Sequence, residues 1–420
     1  MVQGNANLQE DLTMQQEREC LRHIARQYAE AAAHPRNQSN AVLYRAVNGL
    51  KMQRPVVLID EQPWNELNIN GQLDPLCQDP VYRSAEAYMR RKLFQWQHHP
   101  ADMILPPYLP VYKIIGGVPG GMPVQEDTLA TDADNAIVSH QYVDQLQGME
   151  DLDKIKMPRL TYEQAVTEAR RDKLAEAVGD IMPVRITGHS TYFSQWDMIS
   201  AYRGVTSLLL DLAERPEHSH AIMERVTKLL IEQYRQYEEL GLLDPEPYLI
   251  HCTAGLCDEL KTPEGEPVLR RNIWGRCMAQ IFASVSPAMH EEFDIDYQIR
   301  AMEPFGLVYY GCCEPLDRKI DIVRKIPRLR KISVTPWADV NVAAAAIGRD
   351  YVVSAKPNPA HVGAAFDPAV IKKEIKGIID ACRSEGCSFE IVLKDISSLD
   401  HNPDHLKTWE AITMDLVMSS

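Results

Sequence analysis

The chain has 420 residues, 45% of them hydrophobic, and its 59 acidic against 44 basic side chains give a formal net charge of −15. That length suits one large domain or two ordinary ones, and the acidic balance without a long basic run excludes nucleic acid and anionic lipid as main partners. The start, MVQGNANLQEDLTMQQEREC, lacks a signal peptide's apolar core, no apolar run approaches the about 20 residues that cross a bilayer, and nine scattered cysteines read as free thiols, so the expected setting is cytoplasmic.

Residues 10–33 read as a polar helix ahead of the core. The run Val56-Val57-Leu58-Ile59-Asp60 is apolar, β-branched and ends in charge, the pattern of a buried parallel strand. The same pattern recurs at 102–105, 182–187, 248–250, 306–310, 331–334, 351–354 and 389–393. Between these runs, 79–98, 197–213, 216–240, 368–382 and 403–417 carry helical periodicity. Pro216 suits a first helical turn, and Gly241 follows the end of its helix. Eight strands, each followed by a helical pattern, indicate a (β/α)8 TIM barrel over residues 51–420, with an N-terminal helical extension over 1–50. A doubly wound open sheet is the alternative, but no GxGxxG follows the first strand.

In such a barrel, chemistry belongs just past the C-terminal ends of the strands. That rule gathers Asp60, Glu61, Trp64, Asn65 and Glu66 after the first strand, and His189 and Tyr192 after the third. His251 and Cys252 follow the fourth, and Cys312, Cys313 and Glu314 the fifth. Later strands add Trp337, Asp339, Lys356, Asn358, Lys394 and Asp395. Trp64 and the segment ILPPYLPVY offer an aromatic wall for a ring-bearing or cationic compound. The stretch IGGVPGGMP has no GK[ST] after it, so it reads as a mobile turn and not a phosphate loop. Residues 253–275, TAGLCDELKTPEGEPVLRRNIWG, read as a polar insertion long enough to serve as a lid.

The segments RITGHSTYFSQWDMISAYRGVTSLLLDLAERPEHSHAIMERVTKLLIEQY, VSPAMHEEFDIDYQIRAMEPFGLVYYGCCEPLDRKID, AIGRDYVVSAKPNPAHV and SFEIVLKDISSLDHNPDHLKTW occur in that order. Together they resemble the uroporphyrinogen decarboxylase superfamily, within it the cobalamin-dependent methyltransferase branch, over residues 150–420. The first-strand loop DEQPWNEL departs from the arginine-rich loop that grips tetrapyrrole carboxylates, so like charges argue against that substrate. The branch's zinc ligands come as H-x-C with a further cysteine on the last strand. Here Tyr310 stands at the histidine and Lys394-Asp395 at the last cysteine, leaving Cys312 alone.

The resemblance implies transfer of a methyl group from a small methyl ether or methylamine to a corrinoid's cobalt, a demethylation of the donor. The cobalamin would ride on a partner corrinoid protein, and a homodimer is a further expectation. A zinc ion would be held by Cys312, His251 and Glu314, with Cys313, Cys252 and Asp395 as further candidates on neighbouring strand ends, because zinc in a catalytic site takes three protein ligands and keeps one open position. Glu61, Tyr310 and Asp395 are the expected proton donors and acceptors. Asp60, Trp64, Asn65, His189, Tyr192, Lys356 and Asn358 would contact the substrate. Two other readings stand beside this one: a cofactor-free decarboxylase of a non-tetrapyrrole acid, with Lys356 or Lys394 neutralising the carboxylate, and a barrel that binds a ligand without turnover.

Overall fold

The computed structural model describes residues 13–129 and 138–419, so the first residues of the expected polar helix lie outside it. Two helices, Met14–Ala33 and Pro35–Asn48, precede the first strand. Thr13 starts the first of them by accepting the Gln16 amide, and its apolar face, with Leu21 and Tyr28, packs against the helix Pro80–His98. The strands are β1 Val56–Ile59, β2 Leu109–Tyr112, β3 Ile115–Val118, β4 Glu126–Leu129, β5 Ser139–Tyr142, β6 Arg159–Tyr162, β7 Val184–Thr187, β8 Trp274–Cys277, β9 Leu307–Tyr310, β10 Leu329–Val334, β11 Val352–Ala355 and β12 Ser388–Leu393.

Six of them form one parallel sheet in the order β1-β12-β11-β10-β9-β8. β2 and β7 form a separate parallel pair, and the chain after β7 reaches β8 through a bridge from Phe193 to Cys277. Beyond the other edge, the Asp102 amide donates to the Val57 carbonyl and the Val57 amide donates to the Asp102 carboxylate. The fold is therefore mixed α/β around a mainly parallel sheet. Among the described residues, strand pairing does not run on from β1 to β2.

Residues alternate between the two sheet faces with period two. Val57, Ile59, Val308, Tyr310, Ile332, Val353, Phe389 and Ile391 pack with the surrounding helices in the main core. The opposite face carries Arg276, Tyr309, Lys331, Ser354 and Glu390, all buried. What covers this polar face is the chain itself. Lys331 donates to Thr253 (2.7 Å) and Glu390 (2.7 Å), and Thr253 donates to Glu390 (2.8 Å). Two residues on, the Gly255 carbonyl accepts from the Trp274 indole (2.8 Å). β8 and β12 would lie about 19 Å apart in a flat sheet, whereas residues 253 and 255 span at most about 7 Å. Side chains from these two strands therefore meet over one short segment. Further along, Asn48 holds the carbonyls of Ala254 and Leu256 near the start of β1.

Several expectations change here. Residues 102–105 belong to no strand, Asp102 lying in a turn, and β2 begins at Leu109. Residues 248–250 give only an isolated bridge from Ile250 to Thr253. Residues 253–257 are a buried thread and not a lid, and the stretch read as insertion runs into the first half of β8. β8 escapes apolar-run reading because Trp-Gly-Arg-Cys places a large and a charged residue inward, with two small ones outward. The helix expected over 197–213 is two, Gln195–Arg203 and Val205–Glu214, broken at Gly204 with φ 79°. The IGGVPGGMP stretch carries β3, which pairs antiparallel with β6. No helix among the described residues is long and apolar enough to cross a membrane.

Two predictions follow from this packing. Glu390→Gln strands the buried Lys331 charge and should cost about 3–5 kcal/mol in chemical denaturation, with much of it recovered in Lys331→Met/Glu390→Met. His99, buried beside β1 and donating to Gln62 (2.6 Å), has its pKa pushed down to about 4 by burial and by the charges of His98 and Lys407. Because the unfolded value is about 6.5, this histidine destabilises the fold only as pH falls below about 6.5, by up to about 3 kcal/mol near pH 4. Melting curves of His99→Gln should lose that slope between pH 4 and 6.5 while matching the parent slope above it.

Candidate functional site

Past the C-terminal ends of the strands, loops after β1, β9 and β12 meet the top of the thread. They bring Glu61, Cys312-Cys313 and Lys394-Asp395 around His251-Cys252. Cys312 is at the centre. Its Sγ lies 3.5 Å from His251 Nε2 and 3.7 Å from Cys313 Sγ, and it accepts from Lys394 Nζ at 3.3 Å. Ligand atoms of His251, Cys252 and Cys312 all lie within 4.8 Å of one another. Lys394 also contacts Asp395 (2.8 Å) and Glu61 (3.6 Å), and His251 Nδ1 is 3.7 Å from Glu61.

The loops turn sharply to do this. Glu61 (φ 49°), Cys252 (φ 63°) and Asp395 (φ 56°) are all left-handed without being glycine, at a cost of about 1 kcal/mol or more each. Gly311 (φ 94°) makes the matching turn before Cys312, where a Cβ would come within 2.6 Å of Leu316. Glu314, fully buried, accepts the amides of Cys312 (2.9 Å) and Ala279 (3.0 Å) and so holds this turn in place.

Charge follows from these contacts. Hydrogen bonds from Cys252 and Cys313 hold the Cys312 thiol far below its usual range in spite of burial, and His251 and Arg276 act the same way. Cys252 and Cys313 are pushed up, chiefly because each donates to Cys312. Burial works against the Lys394 charge, but Cys312, Cys252, Cys313 and Asp395 outweigh it and raise its pKa. Burial and a hydrogen bond with Asp395 push Glu61 up to about 7, against the pull of Lys394. For Asp395 burial acts upward, but the Glu61 hydrogen bond and Lys394 win and lower it. The shared proton therefore sits on Glu61. Beneath the group, Arg276 is 1% exposed, stacks 4.0 Å from the Tyr309 ring centroid, and leaves Nε and Nη2 without a partner among the described residues.

Of the expected metal ligands, Cys312 and His251 come together and the third member of the trio is Cys252. Glu314 is occupied by backbone amides. Tyr310 is a correction of a different kind. It points to the helical side of the sheet, where its hydroxyl donates to Asp294 (2.6 Å) and lies 2.6 Å from His290, so it is remote from the thiols. Period two explains the miss: the inward tyrosine of the pair is Tyr309. Tyr192 sets its ring edge-on to His251 at 4.8 Å. Lys356 donates to Ser354 (2.6 Å) and to the Cys252 carbonyl (3.2 Å), bracing the thread. Asn358 caps the turn Pro359–Val362. Trp64 carries the Arg91 guanidinium 5.5 Å from its ring, and Asn65 is half-buried in the short helix Trp64–Leu67. Asp60 and His189 line a neighbouring cavity instead. Sequence reasoning missed Arg276 because its strand was missed. A charged residue inside WGRCMAQIF was the available signal. A hollow of about 140 Å³ opens over Cys312, Cys313, Lys394 and Asp395, and Trp337, 68% exposed, stands at its rim.

No protein-family model matches the chain, and no curated protein matches it. Among solved structures it is similar to a methyltransferase from Methanosarcina mazei, with 12% identity and a TM-score of 0.50, over 89% of this chain and 97% of that one. At that identity the likeness is one of fold.

The placement of Tyr310 is testable. Tyr310→Phe removes the donor to a buried carboxylate and should cost about 1–3 kcal/mol of stability by denaturation. The reactivity of the Cys312 group toward a thiol reagent should stay at the parent rate.

Proposed function

We propose that the chain is a methyltransferase that moves a methyl group from a small methyl ether or methylamine to the cobalt of a corrinoid carried by a partner protein. The observation that supports this most is the low-pKa Cys312 thiol with His251 and Cys252 around it, set against the protonated Glu61. In the reaction the carbon–heteroatom bond breaks, the cobalt supplies the pair for the new bond to carbon, and the heteroatom leaves with the old pair. A departing amine or alkoxide then needs a proton or a positive charge.

The residues fit zinc. Two thiols and an imidazole are its preferred donors, three protein ligands leave a position open, and ligand atoms within 4.8 Å of each other can converge on one ion. Bound there, zinc would act as a Lewis acid on the leaving heteroatom. The chain's own groups do the rest. Lys394 and Arg276 stabilise the thiolate form of Cys312. Glu61, near pH 7, can hand its proton to the leaving atom, and Asp395 orients it. Tyr192 keeps the His251 ring in place. The exposed Trp337 at the rim is the kind of aromatic anchor a docking protein uses.

Metal analysis of the purified protein should find about one zinc per chain, and Cys312→Ser and His251→Ala should each lower zinc retention at least tenfold. Methylcobalamin formation from cob(I)alamin, followed by absorbance across a panel of methyl ethers and methylamines, should fall at least a hundredfold in the same variants. A parent protein that retains no zinc, with transfer rates untouched by Cys312→Ser, would remove this reading.

A further inference from the structure

Beside the thiol group lies a cavity of about 280 Å³ that the chemistry above does not use. The loops that carry Glu61 and Tyr192 into the thiol group line it through Asp60 and His189, so the two spaces are neighbours. One wall is the extended segment before and through β2, from which every second residue, Ile104, Pro106, Tyr108, Pro110 and Tyr112, faces the space. Tyr88, Tyr248 and His189 complete a ring-rich lining. Tyr248 packs edge-on to Tyr108 at 6.1 Å, and Tyr112 lies 5.9 Å from His189.

Polar groups without partners gather here. Tyr44 and Thr187, which also line the cavity, are 1% and 8% exposed, and neither hydroxyl has a hydrogen-bond partner among the described residues. Among the described residues the Lys92 ammonium makes no ion pair within 4.0 Å, and neither does the Asp60 carboxylate, although both line the same space. The two sense each other only at longer range: burial pushes the Lys92 pKa down, and Asp60 is the one charge acting against it. The other acid of the lining, Asp244, is already served by the Glu246 amide and the fields of Arg185 and Lys113. Buried polar groups are satisfied almost everywhere in folded proteins, so the two unpartnered hydroxyls mark the place of a ligand, and the half-buried Lys92 and Asp60 face the same hollow.

The charge pattern selects among ligands. A simple cation would suit the tyrosine faces and Asp60 but meet Lys92 unpaired. A simple anion would suit Lys92 but leave Asp60 opposing it and the ring faces unused. We propose that the cavity binds a small zwitterion of the betaine class, its methylated ammonium among the tyrosine rings toward Asp60 and its carboxylate on Lys92. As a methyl donor, which rests on the methyl-transfer reading above, this ligand would release its nitrogen as a neutral tertiary amine carrying the pair of the broken C–N bond, with no need of zinc or the Glu61 proton. Its binding does not rest on that reading.

The test is titration calorimetry on the full chain with trimethylammonio carboxylates having one to four methylenes between the charges. Tetramethylammonium carries the cation alone, and 3,3-dimethylbutanoate is the uncharged-head isostere of the shortest member. At least one zwitterion should bind ten times more tightly than either single-charge probe. Lys92→Met should weaken the zwitterion at least tenfold without weakening tetramethylammonium, and Asp60→Asn should weaken the zwitterion without weakening the butanoate. Lys92→Gln serves if the methionine variant does not fold, with the parent melting curve as the check. Zwitterions that bind no better than the single-charge probes, or that ignore both substitutions, overturn the proposal. Because binding is read without any corrinoid, tight binding with no methyl transfer removes the betaine as donor and leaves the cavity assignment standing.

Discussion

The arrangement depends on one buried ion pair. Lys331 and Glu390 sit on strands two apart, and the Thr253 hydroxyl bridges them from the thread that crosses the polar face. Buried pairs of this kind contribute little net stability, because removing both charges from water offsets most of their attraction. What they do supply is position. Only one register of the thread places a hydroxyl between the two charges, and that register sets Cys252 and His251 one and two residues further up. Ser354, donating to Glu390 at 2.5 Å, and Lys356, holding the Cys252 carbonyl, extend the same network to the mouth. The polar interior thus acts as a jig for the thiols.

It also sets their charge. Arg276, Lys331, Lys356 and Lys394 line this face, and Glu390 and Asp395 are the carboxylates that answer them. Cations in excess, in a space with little water, favour any neighbouring group that can ionise. Cys312 is that group: it accepts from Lys394, is bonded by two other thiols, and lies in the field of Arg276. For Glu61, burial and a hydrogen bond with an acid that is already ionised outweigh Lys394 at 3.6 Å, so it keeps its proton. A nucleophilic or metal-binding thiolate and a protonated acid are therefore adjacent without either neutralising the other. Perturbation of two neighbouring groups in opposite directions is the usual sign of a site arranged for proton and electron-pair chemistry.

Much of this was legible in the sequence, and the gaps have physical causes. Of the strands read correctly, β1, β9, β11 and β12 are buried throughout and β10 nearly so, whereas β7, outside the main sheet, is half-exposed. β8 and β2, like the short antiparallel pairs β3–β6 and β4–β5, were not read; Trp-Gly-Arg-Cys and Leu-Pro-Val-Tyr carry charge or proline where a buried strand normally shows branched aliphatics. Placing candidates at strand ends was enough to select Glu61, Cys312 and Asp395 from residues far apart in sequence, whereas His251 was selected from a strand at 248–250 that the fold does not contain. It could not say which way a side chain points, and so Tyr310 was chosen over its inward neighbour. Nor could it foresee that a loop would pass through the interior, since the polar partners that make this tolerable, Lys331 and Glu390, look like surface charges in sequence. Lys92 was invisible for a related reason: a lysine on a helix reads as solvated until the helix is seen to close a cavity.

The unpaired gap beside β1 and the tyrosine-lined cavity are one consequence of the same chain segment. Pro106, Pro107 and Pro110 cannot donate backbone hydrogen bonds, so the stretch through Ile104–Tyr112 cannot ladder onto β1. Asp102 compensates by using its side chain and its amide to hold Val57, which fixes where the chain leaves the sheet. The space that a laddered strand would have filled is left to alternate side chains of the same segment, and these are mostly prolines and tyrosines. Proline rigidity holds the rings apart where flexible residues would let them collapse. An interruption of the sheet thereby becomes a preformed chamber, opened next to the thiols by the loop that carries both Asp60 and Glu61.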